Sequence, residues 1–109
     1  MKLENIEDRA NDALRYLTDT DETAADLRHD VDRAEANYDA VVAAITFHSS
    51  AGSADKRKAE ALLDERAQSA MLGIHEARRK YDAVANKRKS EAIAVDWLKS
   101  LYAHYRQGR

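Results

Sequence analysis

The sequence predicts an all-α protein: an elongated, coiled-coil-like antiparallel hairpin in which a short N-terminal helix packs along a long C-terminal helix. Three observations predict it. The 109 residues hold no proline and only 3 glycines, so little interrupts a helix. In the second half, apolar residues recur alternately four and three apart: Leu63, Ala67, Ala70, Ile74, Ala77, Tyr81 and Val84, then Val95, Leu98, Tyr102 and Tyr105. That spacing keeps to one helix face for about ten turns. Charge is also divided, residues 1–50 carrying 5 Lys/Arg against 12 Asp/Glu and residues 51–109 carrying 13 against 8. An acidic half laid on a basic half selects antiparallel pairing, although each exposed pair contributes only ~0–1 kcal/mol.

Taken in order, Asn5 is placed to cap a first helix over about residues 5–17, where Ile6, Ala10, Ala13, Leu14 and Leu17 share a face. Asp19 and Glu22 have the spacing of a capping box for a second helix, about 21–48, with the seam Leu27, Val31, Ala34, Tyr38, Val41 and Ile45. A turn from Ser49 to Ser53, centred on Gly52, ends it, and Ser53 caps the long helix, about 54–106. Unbroken from Asp55 to Arg106, that helix is roughly 78 Å long at about 1.5 Å per residue. Arg88 and Glu91 fall on its seam and are expected to weaken it, with a break near Arg88 as one outcome. A tight turn near residue 51 sets Leu27 opposite Ile74, Val31 opposite Ala70, Ala34 opposite Ala67 and Tyr38 opposite Leu63, large against small. With the first helix continuing along the second, Leu17 falls near Val84, Ile6 near Val95 and Leu3 near Leu98. The whole of 1–109 is then a single helical domain.

Ile93, Trp97 and Leu101 form a second apolar stripe, offset from the seam of Val95, Leu98 and Tyr102. One short helix does not cover both, so the extra stripe predicts a partner helix and a homodimer.

Composition narrows the chemistry. The absence of cysteine removes disulfides and thiolate metal sites. No apolar run approaches the ~20 residues of a membrane span, and no signal-peptide block opens the chain, so a soluble cytoplasmic protein without membrane association is expected. His29, His48, His75 and His104 are scattered, and His75-Glu76 lacks the second histidine of a zinc-protease helix. Serines around His48 read as helix caps, and Asp19, Asp21, Asp26, Asp30 and Asp32 lack the spacing of a calcium loop. No catalytic residue, metal or cofactor is expected, and the protein is read as a non-enzyme.

Lys56-Arg57-Lys58, Arg78-Arg79-Lys80 and Lys87-Arg88-Lys89 are basic triplets; Lys99, Tyr102, Tyr105, Arg106, Gln107 and Arg109 add charge and aromatics at the end. Such groups bind phosphates and stack on unpaired bases, so nucleic acid is a possible, weak partner at Lys87, Arg88, Lys89, Lys99, Tyr102, Tyr105, Arg106 and Gln107. Balancing the acidic helix is the plainer role for the triplets. The eight carboxylates in the 21 residues from Asp19 to Asp39, with Asp26, Asp30 and Asp32 as the face used, could imitate a phosphate backbone to a DNA-binding enzyme, but a solvated acidic helix face is the commoner explanation.

Several short segments together resemble a family of short all-helical proteins of tailed bacteriophages and prophages. They are Tyr16-Leu17-Thr18-Asp19-Thr20-Asp21-Glu22, Gly52-Ser53 followed by Arg57-Lys58-Ala59, Asn86-Lys87-Arg88-Lys89, and Arg106-Gln107-Gly108. The resemblance spans nearly the whole chain in the same order. Two departures are visible: the family's tryptophan falls at Leu98 here, one past Trp97, and a more polar tail is replaced by Tyr102, His104 and Tyr105. Genes of this family often lie near those of single-strand-annealing recombinases. The resemblance implies an accessory of phage DNA recombination or replication in the bacterial cytoplasm, bound to a recombinase or host factor. The alternative is an inhibitor of a host DNA-binding enzyme or defence system acting through the acidic helix.

Overall fold

The computed structural model describes residues 2–108, which are all-α without a strand. Its helices are α1 (Leu3–Asp19), α2 (Asp21–His48), α3 (Ala54–Leu63) and α4 (Glu65–Gln107). No helix among the described residues is long and apolar enough to cross a membrane. Two compact units are built from them: one joins α1 and the start of α2 to α4 from Asp82 onward, and the other spans Asp26–Tyr81.

Caps explain the boundaries. Lys2, not Asn5, occupies the N-cap position of α1, without a side-chain bond, and the Asn5 N–H lies within the first turn, donating to the Lys2 carbonyl. Between α1 and α2 stands Thr20 alone, its N–H and hydroxyl both donating to the Tyr16 carbonyl at 3.0 and 2.7 Å. Asp19 therefore closes α1 instead of capping α2. Ser53 caps α3 as expected, its hydroxyl accepting from the Lys56 N–H at 3.2 Å.

The expected single long helix is broken, at Asp64 and not near Arg88. Asp64 takes an extended backbone (φ −68°, ψ 138°), and its carboxylate accepts from the Arg66 N–H at 2.8 Å while the Arg66 guanidinium closes a fork on both oxygens at 3.1 Å. An aspartate that satisfies the first free N–H groups of a helix competes with continuing that helix, and here the cap wins. The heptad phase is lost within α3 alone: Leu63 is 76 % exposed, while Ala61 is fully buried in its stead.

The separate α3 also shifts the register of the hairpin. Glu35 pairs with Arg78 at 2.9 Å and Arg28 lies over the Tyr81 ring at 5.7 Å. The expected register sets them opposite Arg66 and Gly73, two to three turns away. Ile74 accordingly lines a cleft with Glu35 and Tyr38, where the expected register sets Leu27 opposite it. The pairing remains antiparallel. In the Asp26–Tyr81 unit Ile45, Ala61 and Ala67 form a buried cluster backed by Tyr38, Val41 and Val42, with Val31, Ala70 and Ile74 also buried. In the other unit Ile6 and Ala13 of α1 are buried with Val95 and Leu98 of α4, while Leu14, expected in the core, is half out at 45 %.

Candidate interaction surfaces

Arg88 and Glu91 do not weaken the α1–α4 contact; they make its polar part. Arg88 Nη1 donates to the Leu17 carbonyl at 2.6 Å and the Thr20 hydroxyl at 2.8 Å, and Nη2 reaches Asp21 Oδ1 at 3.1 Å. A cation on the last carbonyls of α1 also meets the negative end of its dipole. Glu91, largely buried, receives Arg9 as an ion pair at 2.8 Å, which raises the Arg9 pKa.

This changes what the basic residues have to offer. Lys87 sits over the Tyr16 ring, 4.5 Å from its centroid. Arg79 and Lys80 both turn to Glu76, at 2.8 and 3.8 Å, and the hydrogen bond from Arg79 holds that carboxyl below its usual range. Lys89 and Lys99 are exposed without an ion pair among the described residues. At the end of α4, Arg106 covers the half-buried Tyr102 at 5.8 Å, Tyr105 is 38 % exposed with its ring edge-on to His104, and Gln107 is exposed. Arg109 lies outside the described residues. Cation and aromatic are thus brought together at Arg106–Tyr102, while the triplet at 87–89 points its charges in separate directions.

On α2, Asp26, Asp30 and Asp32 are all exposed, with Asp32 3.7 Å from Arg28. Arg33 projects between Asp32 and Asp26 on the helix wheel and Arg28 flanks Asp32 on its other side, so cations separate Asp32 from Asp26 and Asp30. The four histidines are exposed, and no group of His, Asp or Glu among the described residues is arranged to hold a metal.

Two exposed apolar surfaces stand out among the described residues. Ile93 and Trp97 are 61 % and 59 % exposed and Leu101 is half-buried, on a face of α4 turned away from Val95 and Leu98. The other surface is a groove of about 800 Å³ between α2 and α3, lined by Tyr38, Val42, Phe47, Lys58 and Leu62 among others. It adjoins a second cleft that shares Tyr38 and Leu62 and extends to Met71 and Leu72 on α4. Phe47 is 83 % and Leu72 67 % exposed. The 4–3 spacing did not single these residues out, but it held a signal: Phe47, Leu62 and Leu72, like Ile93 and Trp97, are large apolar residues that fall off its phase.

No family model matches the chain, and no curated protein or solved structure matches it.

Proposed function

We propose that this protein is a non-enzymatic accessory of phage DNA recombination or replication that works in the bacterial cytoplasm by binding another protein. The observation that carries the binding role is the exposure of Phe47, Leu62 and Leu72 along a two-walled groove. Ala54, Lys58 and Leu62 on one wall and Tyr38, Val42 and Thr46 on the other follow i, i+4 rows, the geometry that receives an amphipathic helix from a partner. Asp39 and Lys58 on the lining supply a charge of each sign to fix its direction. The link to recombination rests on the resemblance in sequence to the phage family.

The test is a titration of the labelled protein with a phage single-strand-annealing recombinase. Phe47→Glu and Leu72→Glu should each weaken binding by about tenfold, the effect of ~1.4 kcal/mol, with helical circular dichroism unchanged. Binding that ignores both substitutions removes the groove from the reading; no binding by the native chain moves the partner to a host factor. Self-association through Ile93, Trp97 and Leu101 belongs to the same proposal. The DNA-imitating alternative has less support, because Arg28 and Arg33 interrupt the carboxylates of Asp26, Asp30 and Asp32.

A further inference from the structure

The exposed stripe of α4 is longer than its three large residues. Continued in both directions it reads Asn86, Ser90, Ile93, Trp97, Leu101, His104 and Gly108, spaced 4, 3, 4, 4, 3, 4. An 11-residue repeat, 3.67 residues per turn, holds such a row on one face of a helix with a slight right-handed supercoil. Every position but the half-buried Leu101 is exposed, and the row contains no lysine, arginine or carboxylate in a chain that is 35 % charged. A solvated face of this protein would carry charge. The row also reads the same in both directions from Trp97. An isologous two-fold interface requires that symmetry: a residue a given distance before the axis must meet a suitable one the same distance after it.

We infer that the stripe is the seam of an antiparallel homodimer whose two-fold axis passes at Trp97. Trp97 packs on its counterpart; Ile93 meets the second copy's Leu101, Ser90 its His104 and Asn86 its Gly108. The largest apolar groups lie at the centre and uncharged polar groups or glycine at the ends, as interfaces are generally built. Seven positions span about 33 Å of helix. The stripe's centre lies about 130° round the helix from the side of Val95 and Leu98, at about 100° per residue, so α1 keeps its contact with them. Opposed helix dipoles favour this direction over a parallel one. The inference rests on the self-association proposed above and adds its direction and register.

The chain has no cysteine, so single thiols report the arrangement without background. Ser90→Cys and His104→Cys leave the apolar centre intact. Mixed under mild oxidation, they should give a disulfide-linked heterodimer, whereas either variant alone should give little, its own thiols being about 21 Å apart along the axis. Sedimentation equilibrium of the unmodified chain should give about twice 12.3 kDa, falling to the single mass in Trp97→Glu. The lone tryptophan supplies a third readout, its emission moving to the red as the protein is diluted to monomer. A monomer at all concentrations overturns self-association and this inference together. A dimer in which Ser90→Cys links efficiently to itself overturns the antiparallel register alone.

Discussion

The Arg88 guanidinium serves three acceptors, two of them on the carbonyl end and junction of α1. Its bond to the exposed Asp21 is screened and contributes little, so the half-buried Leu17 carbonyl and Thr20 hydroxyl carry most of the effect. Arg88→Ala should cost about 1.5–3 kcal/mol by urea unfolding, the usual range for hydrogen bonds to a charged group. Arg88→Lys should recover only part of that, because one ammonium does not reproduce a planar fork. A loss under about 0.5 kcal/mol would mean that α1 holds without this contact. Asp64 offers a test by pH. Its hydrogen bonds from the Arg66 side chain and backbone keep its pKa below the usual carboxylate range. A depressed folded-state pKa contributes stability fully above the unfolded value, about pH 4, and loses it as pH falls through the lower folded value. The carboxyl-carbon NMR titration of Asp64 should therefore have a low midpoint that rises in Arg66→Ala.

The two helices flanking Asp64 would be one without it. Asp64→Ala removes the cap and places a strong helix former at the junction, so α3 and α4 should compete to fuse. Because fusion rotates Leu63 toward the positions held by Ala61, the native core opposes it, and the expected result is a lower unfolding midpoint with unchanged or higher ellipticity at 222 nm. Ile74, buried on α4, gives the corresponding test of packing: Ile74→Ala should lose ~2–4 kcal/mol, and a negligible loss would place the α2–α4 seam elsewhere. The helical class, the span of α2, the Ser53 cap and the buried phase at Val31, Ile45, Ala67, Ala70, Ile74, Val95 and Leu98 were all legible in the residues. Each depends on periodicity or on a cap with little competition. The register was not legible, because it turned on whether Asp64 behaves as a helix residue or a cap, a balance of a few tenths to about 2 kcal/mol that spacing does not reveal. Arg88 was misread for a related reason: a charge on an apolar seam looks like a fault until the carbonyls it will meet are located. Of the surfaces, the Trp97 stripe was visible as surplus apolar residues. The Phe47 groove was not, since its α3 wall depends on the break at Asp64, which buries Ala61 in place of Leu63.

Nucleic acid, if bound, should engage the end of α4 where Arg106 lies on Tyr102. Fluorescence anisotropy with a labelled single strand is expected to show weak binding that falls steeply with salt and is reduced by Tyr102→Ala with Arg106→Ala. Binding that survives both substitutions would shift attention to Lys89 and Lys99. The division of the chain has a further outcome, in time instead of space. One unit is an uninterrupted stretch, Asp26–Tyr81; the other must gather its pieces from both ends, bringing Arg9 to Glu91. Loop closure makes contacts between distant residues slow to form, so the uninterrupted unit should supply the folding nucleus and shorten the remaining search for α1. In chevron kinetics Ile74→Ala should then chiefly slow folding, whereas Leu98→Ala should chiefly hasten unfolding. The reverse assignment would show that the chain closes its ends first, and that the middle condenses around them.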